Sequence, residues 1–283
     1  MKKVLKILTI GLFMLGLSGC GEDRLSNSNV YTTIYPITYL TDYLYGENRE
    51  VNSIYPNGAD VATYELTHMQ KENYSSGGLF VYNGLTNEKE LAREFLSENR
   101  DILLIDVAYG LNYEYAIEEL WMSPNNFLML AKNIKNNLVD YTNSTVLIES
   151  IEERYSEIEE ALSFMDAELR SVATEASRDG NSTLIVSSNK LLFLENYGFN
   201  VIVISEETID TVTSLVSNGT VTDIYLCDTD SSELITSLVD DGEANVISVD
   251  TMYTLTDEEA SNNETYLTIM RDFIDHIRNT TLG

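Results

Sequence analysis

A two-lobed α/β fold is predicted, with mainly parallel sheets flanked by helices and one long backbone helix joining the lobes. Three features of the 283-residue sequence predict it. Short β-branched runs alternate with segments of helical spacing, which implies parallel strands joined by helical crossovers. One apolar stripe, spread over residues 146–179, is longer than any other periodic segment. The strand–helix alternation stops at that stripe and resumes behind it.

The first lobe is expected over 30–145. Residues 30–34 form a β-branched run, and 36–44 carry Ile37, Leu40 and Leu44 at helical spacing. Residues 51–54 are the next strand and 65–72 a short helix. The run GLFVY (78–82) is a strand closed by the turn pair Asn83-Gly84, 88–96 a helix, and DILLID (101–106) a further apolar strand. Pro124 opens a helix over 124–138, since proline at the first helical position gives up only an amide with no intrahelical partner. In the linking helix, Ile151, Tyr155, Ile158, Leu162, Met165, Leu169 and Val172 recur at steps of four and three, with Glu152, Glu153, Glu157, Glu159 and Glu160 on the other faces. A coiled-coil dimer would use the same stripe. With α/β units on both sides, packing along the chain's own lobes is the better reading, and Gly180 is the stop signal.

The second lobe, 180–283, repeats the scheme. Strands are expected at 183–187, 201–205, 223–227 and 245–249, helical segments at 190–197, 207–218 and 231–241, and a closing helix from 264 to about 279. Ligands of such sheets gather beyond the carboxyl ends of the strands, which puts the site in the cleft between the lobes.

Ahead of both lobes, Lys2, Lys3 and Lys6 precede an apolar run over 7–17, too short to span a bilayer, so 1–19 read as a signal peptide. The segment ends in Leu17-Ser18-Gly19-Cys20, which resembles the lipobox of bacterial lipoproteins. That resemblance implies cleavage before Cys20 and lipidation of its thiol, with 20–29 as a polar tether. Cys227 is then left without a partner, so no disulfide is expected. The apolar fraction of 43% supports a real core. A formal charge of −29 excludes a nucleic-acid partner and basic-patch docking on anionic lipid, and describes a solvated acidic surface. No phosphate loop, Cys-x-x-Cys or Gly-x-Ser-x-Gly elbow is present, and no motif supports an enzyme. DTDSSELITSLV (228–239) begins like a calcium loop, but lacks Gly at its sixth place and ends on Val239 where Glu is needed.

Four stretches, NGADVATYELT (57–67), VYNGL (81–85), ELWMSP (119–124) and ETYLTIMRDFI (264–274), together resemble the zinc and manganese solute-binding lipoproteins of bacterial ABC importers. The resemblance covers nearly the whole chain after the signal peptide. It implies two α/β lobes on a long helix, a lipid-anchored receptor on the extracytoplasmic face of the cell membrane, and an ABC permease as partner. It also implies four metal ligands, and here the sequence departs from the pattern. Gly58, Tyr64 and Glu65 match the first loop, but Ala62 stands at its histidine. Trp121 and Pro124 match the second, with Glu119 at its histidine. Ser188 occupies the third position and Leu255 the fourth, an acid in the family; Asp257 lies two residues on. Ala62 and Leu255 have no donor and Ser188 is a weak neutral one, so Glu119, with Asp257 as a second candidate, is what remains for a metal. His68 and His276 are isolated on helices and read as surface or capping residues. Asp60, Glu65, Glu118, Glu119 and Asp257 would form an oxygen-only set suited to a hard divalent cation such as calcium or magnesium; the competing reading is solvated loop acids. A tyrosine-rich cleft would also stack an organic ligand. The expected function is therefore a receptor in which tight zinc or manganese binding is lost, with an adhesion or interaction module on the same scaffold as the alternative.

Overall fold

The computed structural model describes residues 24–25, 29–230, 233–240 and 244–283. The signal peptide and Cys20 lie outside these residues. Two four-stranded sheets form the frame, and every strand pair in them is parallel. The first contains β1 (Val30–Thr32), β2 (Val51–Ser53), β3 (Leu79–Tyr82) and β4 (Leu103–Asp106) in the order β2-β1-β3-β4. The second contains β5 (Thr183–Val186), β6 (Asn200–Val203), β7 (Asp223–Cys227) and β8 (Asn245–Val249) in the order β6-β5-β7-β8. In both sheets the chain runs outward from the first strand to one edge, then crosses back to build the other side. The switch points fall beside β1 and β5, where such sheets present ligands.

Helices cover the faces: α1 (Tyr35–Tyr45), α2 (His68–Ser75), α3 (Glu88–Glu98), α4 (Glu119–Met122), α5 (Pro124–Tyr141) and the long α6 (Thr145–Asp179), then α7 (Ile209–Ser217), α8 (Glu233–Asp240), α9 (Asp257–Ser261) and α10 (Tyr266–Leu282). The expected elements are present, with shifted ends. α2 starts at His68 rather than residue 65 because Thr67 forms a capping box with Gln70, each side chain accepting the other residue's amide. The segment expected as a helix over 190–197 is a 3₁₀ helix, Asn189–Tyr197, ending at Gly198 with φ 108°.

α6 is one helix of 35 residues, started by the Ser144 side chain on the Leu147 amide and stopped by Gly180 at φ 80°. Six of the seven residues of its predicted stripe are buried: Ile151, Ile158, Leu162, Met165, Leu169 and Val172 are each 3% exposed or less, while Tyr155 is half-buried. The helix packs along α5 and α10 of its own chain. One apolar cluster runs without a break from Val30 and Leu79 through this stripe to Leu184 and Ile277, so the two lobes share a core. Smaller clusters lie on the outer faces of each sheet. Tyr266 marks the junction: it is fully buried, stacks on Phe127 with centroids 3.8 Å apart, and donates its hydroxyl to the Trp121 carbonyl at 2.6 Å.

Candidate functional site

The carboxyl ends of both sheets face each other across the lobes, and the segment after β8 stitches them together. The Trp121 indole N–H donates to the Thr251 carbonyl at 2.8 Å, the Tyr35 amide to the Tyr253 carbonyl at 3.0 Å, and the Gly58 amide to the Leu255 carbonyl at 2.8 Å. Thr254 Oγ1 adds a contact to the Ala59 carbonyl at 3.3 Å. The segment is shaped from below by two aspartates. Asp228 Oδ1 accepts the amide and hydroxyl of Thr251 at 3.0 and 2.6 Å, and Asp250 Oδ1 accepts the Met252 amide at 2.7 Å. Met252 itself is fully buried in the left-handed region at φ 59°, a conformation uncommon for a residue with a side chain.

Tyr253 then projects between the lobes. Its ring meets Trp121 edge-on at 5.2 Å, and its hydroxyl donates to Glu118 Oε1 at 2.9 Å. Burial, then the charges of Glu118, Glu88 and Asp228, push its ionisation far above the ordinary range. A phenol hydroxyl of the second lobe thus meets a buried carboxylate of the first. Glu88, at the start of α3, is almost fully buried; its Oε2 accepts the Asn83 amide at 2.7 Å. Burial raises its pKa to about 7, against the Asn83 amide and the Thr33 hydroxyl, which lower it, with Asp106 raising it further.

The positions singled out from the sequence fall as follows. Ala62 is exposed in a turn organised by Asp60, whose Oδ1 accepts the Ala62 amide at 3.0 Å and whose Oδ2 takes the Thr63 hydroxyl at 2.7 Å. Glu119 is 7% exposed and its carboxylate is already engaged: Oε2 accepts the amides of Glu114 and Tyr115 at 3.0 and 3.3 Å, and Oε1 the Asn126 side-chain amide at 3.3 Å. Ser188 follows β5; its Oγ is shut off from solvent close to the Asp230 carboxylate. Leu255 is half-buried and contributes its carbonyl to Gly58. Asp257 is exposed in the first turn of α9, where a negative charge suits the helix N-terminus. Glu65 lines a separate cavity of about 340 Å³ with Tyr55, Tyr64 and Lys71. His68 is exposed and pairs with Glu72 at 3.2 Å, while His276 lines a cavity of about 520 Å³ beside β8, α9 and α10. Among the described residues, no group of three or more His, Cys, Asp or Glu side chains is arranged to hold a metal ion.

The sequence reading assigned no site role to Lys190 or Asp250, and weighed Asp228 and Asp230 only within the rejected calcium loop. The signal was available: DIYLC is followed at once by Asp228 and Asp230, and NVISV by Asp250, and charged residues just past a buried strand lie where parallel sheets hold ligands. Asp250 is raised to about 7, chiefly by burial and against its bond to the Met252 amide, with Glu259 and Asp228 raising it further. Asp230 is held low despite its burial, by hydrogen bonds from Lys190 and Ser187. Cys227 is a free buried thiol, as expected, and burial together with Asp230 pushes it up to about 12, which leaves it inert.

The comparisons with known proteins agree with this architecture. The zinc-binding lipoprotein AdcA of Streptococcus pneumoniae serotype 4 is 21% identical over 314 residues, covering 99% of this chain and 61% of that protein. The chain thus spans about 61% of the length of the curated relatives it matches. The crystal structure of the metal-dependent lipoprotein YcdH from Bacillus subtilis superposes with a TM-score of 0.76 at 20% identity, over 90% of this chain and 100% of that one. The Zn(II)-bound ZnuA-like domain of S. pneumoniae AdcA gives a TM-score of 0.74 at 18% identity, over 91% and 100%. These likenesses show the fold. The family model for the periplasmic component A of the zinc-uptake complex, ZnuA, matches residues 30–280, and the chain belongs to that family.

Proposed function

We propose that this protein is a lipid-anchored extracytoplasmic receptor that works with an ABC permease and whose cleft does not hold zinc or manganese tightly. Family membership supports the receptor role, and with it a binding protein rather than an enzyme. The observation that carries the finer reading is Glu119. It is the one strong donor at the four positions that correspond to family ligands, and its oxygens already accept the amides of Glu114 and Tyr115 and the side chain of Asn126. Ala62 and Leu255 offer no side-chain donor, Ser188 offers a neutral hydroxyl, and Asp257 stands exposed in the first turn of a helix. Zinc sites take about four ligands. Loss of a single supporting partner already costs roughly 10–100-fold in affinity.

Calorimetry on chelator-stripped protein tests this. No saturable site for zinc at micromolar or tighter affinity is expected; one such site overturns the reading. The fourfold variant Ala62→His, Glu119→His, Ser188→His and Leu255→Asp is expected to gain binding, and its failure to do so would mean that these are not the cleft's ligand positions. Weak, non-stoichiometric uptake by the acidic surface is expected at millimolar metal and bears on neither outcome.

A further inference from the structure

A cation stands at the carboxyl ends of β5 and β7. Lys190 lies two residues beyond Ser188, and its ammonium bonds to Asp230 Oδ1 and to Thr229 Oγ1, the latter at 2.7 Å. Only 18% of the Lys190 side chain and 14% of that of Asp230 are exposed. The second oxygen of Asp230 takes the Ser187 hydroxyl at 2.5 Å, and Ser187 Oγ in turn accepts the Cys227 amide at 3.0 Å. The ammonium is therefore fixed by two adjacent strand ends. On the opposite lobe, Glu118 is buried and accepts the Tyr253 hydroxyl. The 3₁₀ helix that carries Lys190 is itself tied to that lobe: Asn189 Nδ2 donates to the Tyr115 carbonyl at 3.3 Å and the Tyr115 hydroxyl to Glu195 at 3.2 Å. A pair this enclosed has lost much of its hydration, and removing either partner leaves the other charge uncompensated.

We propose that Lys190 is a specificity-determining residue: its tethered ammonium is the resident cation at the carboxyl ends of β5 and β7, occupying Asp230 and keeping a divalent ion from that carboxylate. A metal ion needs deprotonated donors that are free to coordinate, and here the Asp230 carboxylate is already neutralised from within the chain. The inference rests on the reading that the cleft does not hold zinc or manganese tightly. It adds a cause that is separate from the missing family ligands.

The test is manganese chloride calorimetry on the chelator-stripped full chain, comparing wild type, Lys190→Met and Lys190→Met/Asp230→Asn, with melting curves to check folding. Methionine keeps most of the apolar stem and removes the charge. Lys190→Met is expected to bind manganese about tenfold or more tightly than wild type, the scale on which one nearby charge acts. The double variant is expected to fall back to the wild-type level. A Lys190→Met protein that binds no better than wild type, or a gain that survives Asp230→Asn, overturns the proposal. A tight site in the wild type would instead sink the functional reading above, so the two failures are distinguishable. Should Lys190→Met not fold, Lys190→Gln, which keeps a hydrogen-bond donor toward Asp230 without the charge, is read by the same two criteria.

Discussion

Glu88 shows how a single residue ties the inter-lobe chemistry to stability. In the unfolded chain its carboxyl titrates near the ordinary value of 4.5, and in the fold burial raises it to about 7. Between these values the folded state binds more protons than the unfolded one. Its contribution to stability is therefore greatest at the acidic end of that window and falls as pH rises to about 7. Asp250, raised to about 7 from 3.8, acts in the same direction. Glu88→Gln keeps an oxygen for the Asn83 amide and removes the charge. The variant is expected to be more stable than wild type at pH 8, by up to about 3 kcal/mol, and close to it at pH 4.5. Melting curves across that range check it; equal pH slopes for the two proteins would contradict the assignment. Glu119, by contrast, has its buried charge met by two backbone amides and an Asn side chain, so the same residue type serves as a structural anchor a short distance away.

At the scale of elements, α6 governs how the lobes move. A single helix of 35 residues with a buried stripe carries no hinge, and the shared core on either side of it resists bending. The segment after β8 adds cross-lobe bonds from Trp121, Tyr35, Gly58 and Tyr253. Motion is then confined to small tilting and local loop adjustment. Small-angle scattering in chelator and in excess zinc is expected to give the same radius of gyration within error; a clear contraction would contradict the rigid-helix account. Most of this was legible in the sequence, because a stripe at steps of four and three from Ile151 to Val172 has one periodic reading. α4 and α9, at four and five residues, were not foreseen, since neither is long enough to display a helical period.

For the whole molecule, the acidic balance and the N-terminal segment set the context. A chain of formal charge −29 is repelled by anionic lipid, so membrane residence requires an anchor other than a basic surface. Among the described residues no helix is long and apolar enough to cross a membrane. The proposed anchor is lipid on Cys20. Cys20→Ala is expected to lose its acyl label and its membrane fraction in cells; native protein that is already free of lipid would refute the anchor.

By itself the sequence determined the strand–helix order, the long helix and its buried face, the unpaired Cys227, and the absence of a donor side chain at Ala62 and Leu255. These are local properties: apolar periodicity, residue type and the spacing of turn residues decide them within a few positions of chain. Only the tertiary structure decided what the cleft contains. The Lys190–Asp230 pair joins residues 40 positions apart, and the Tyr253–Glu118 bond spans 135. Glu119 read from sequence as a free carboxylate because nothing in ELWMSP reveals that the loop before it folds its amides back onto the side chain. Whether a carboxylate is free or engaged depends on which donors the fold brings within hydrogen-bond distance, and on how far burial has stripped it of water.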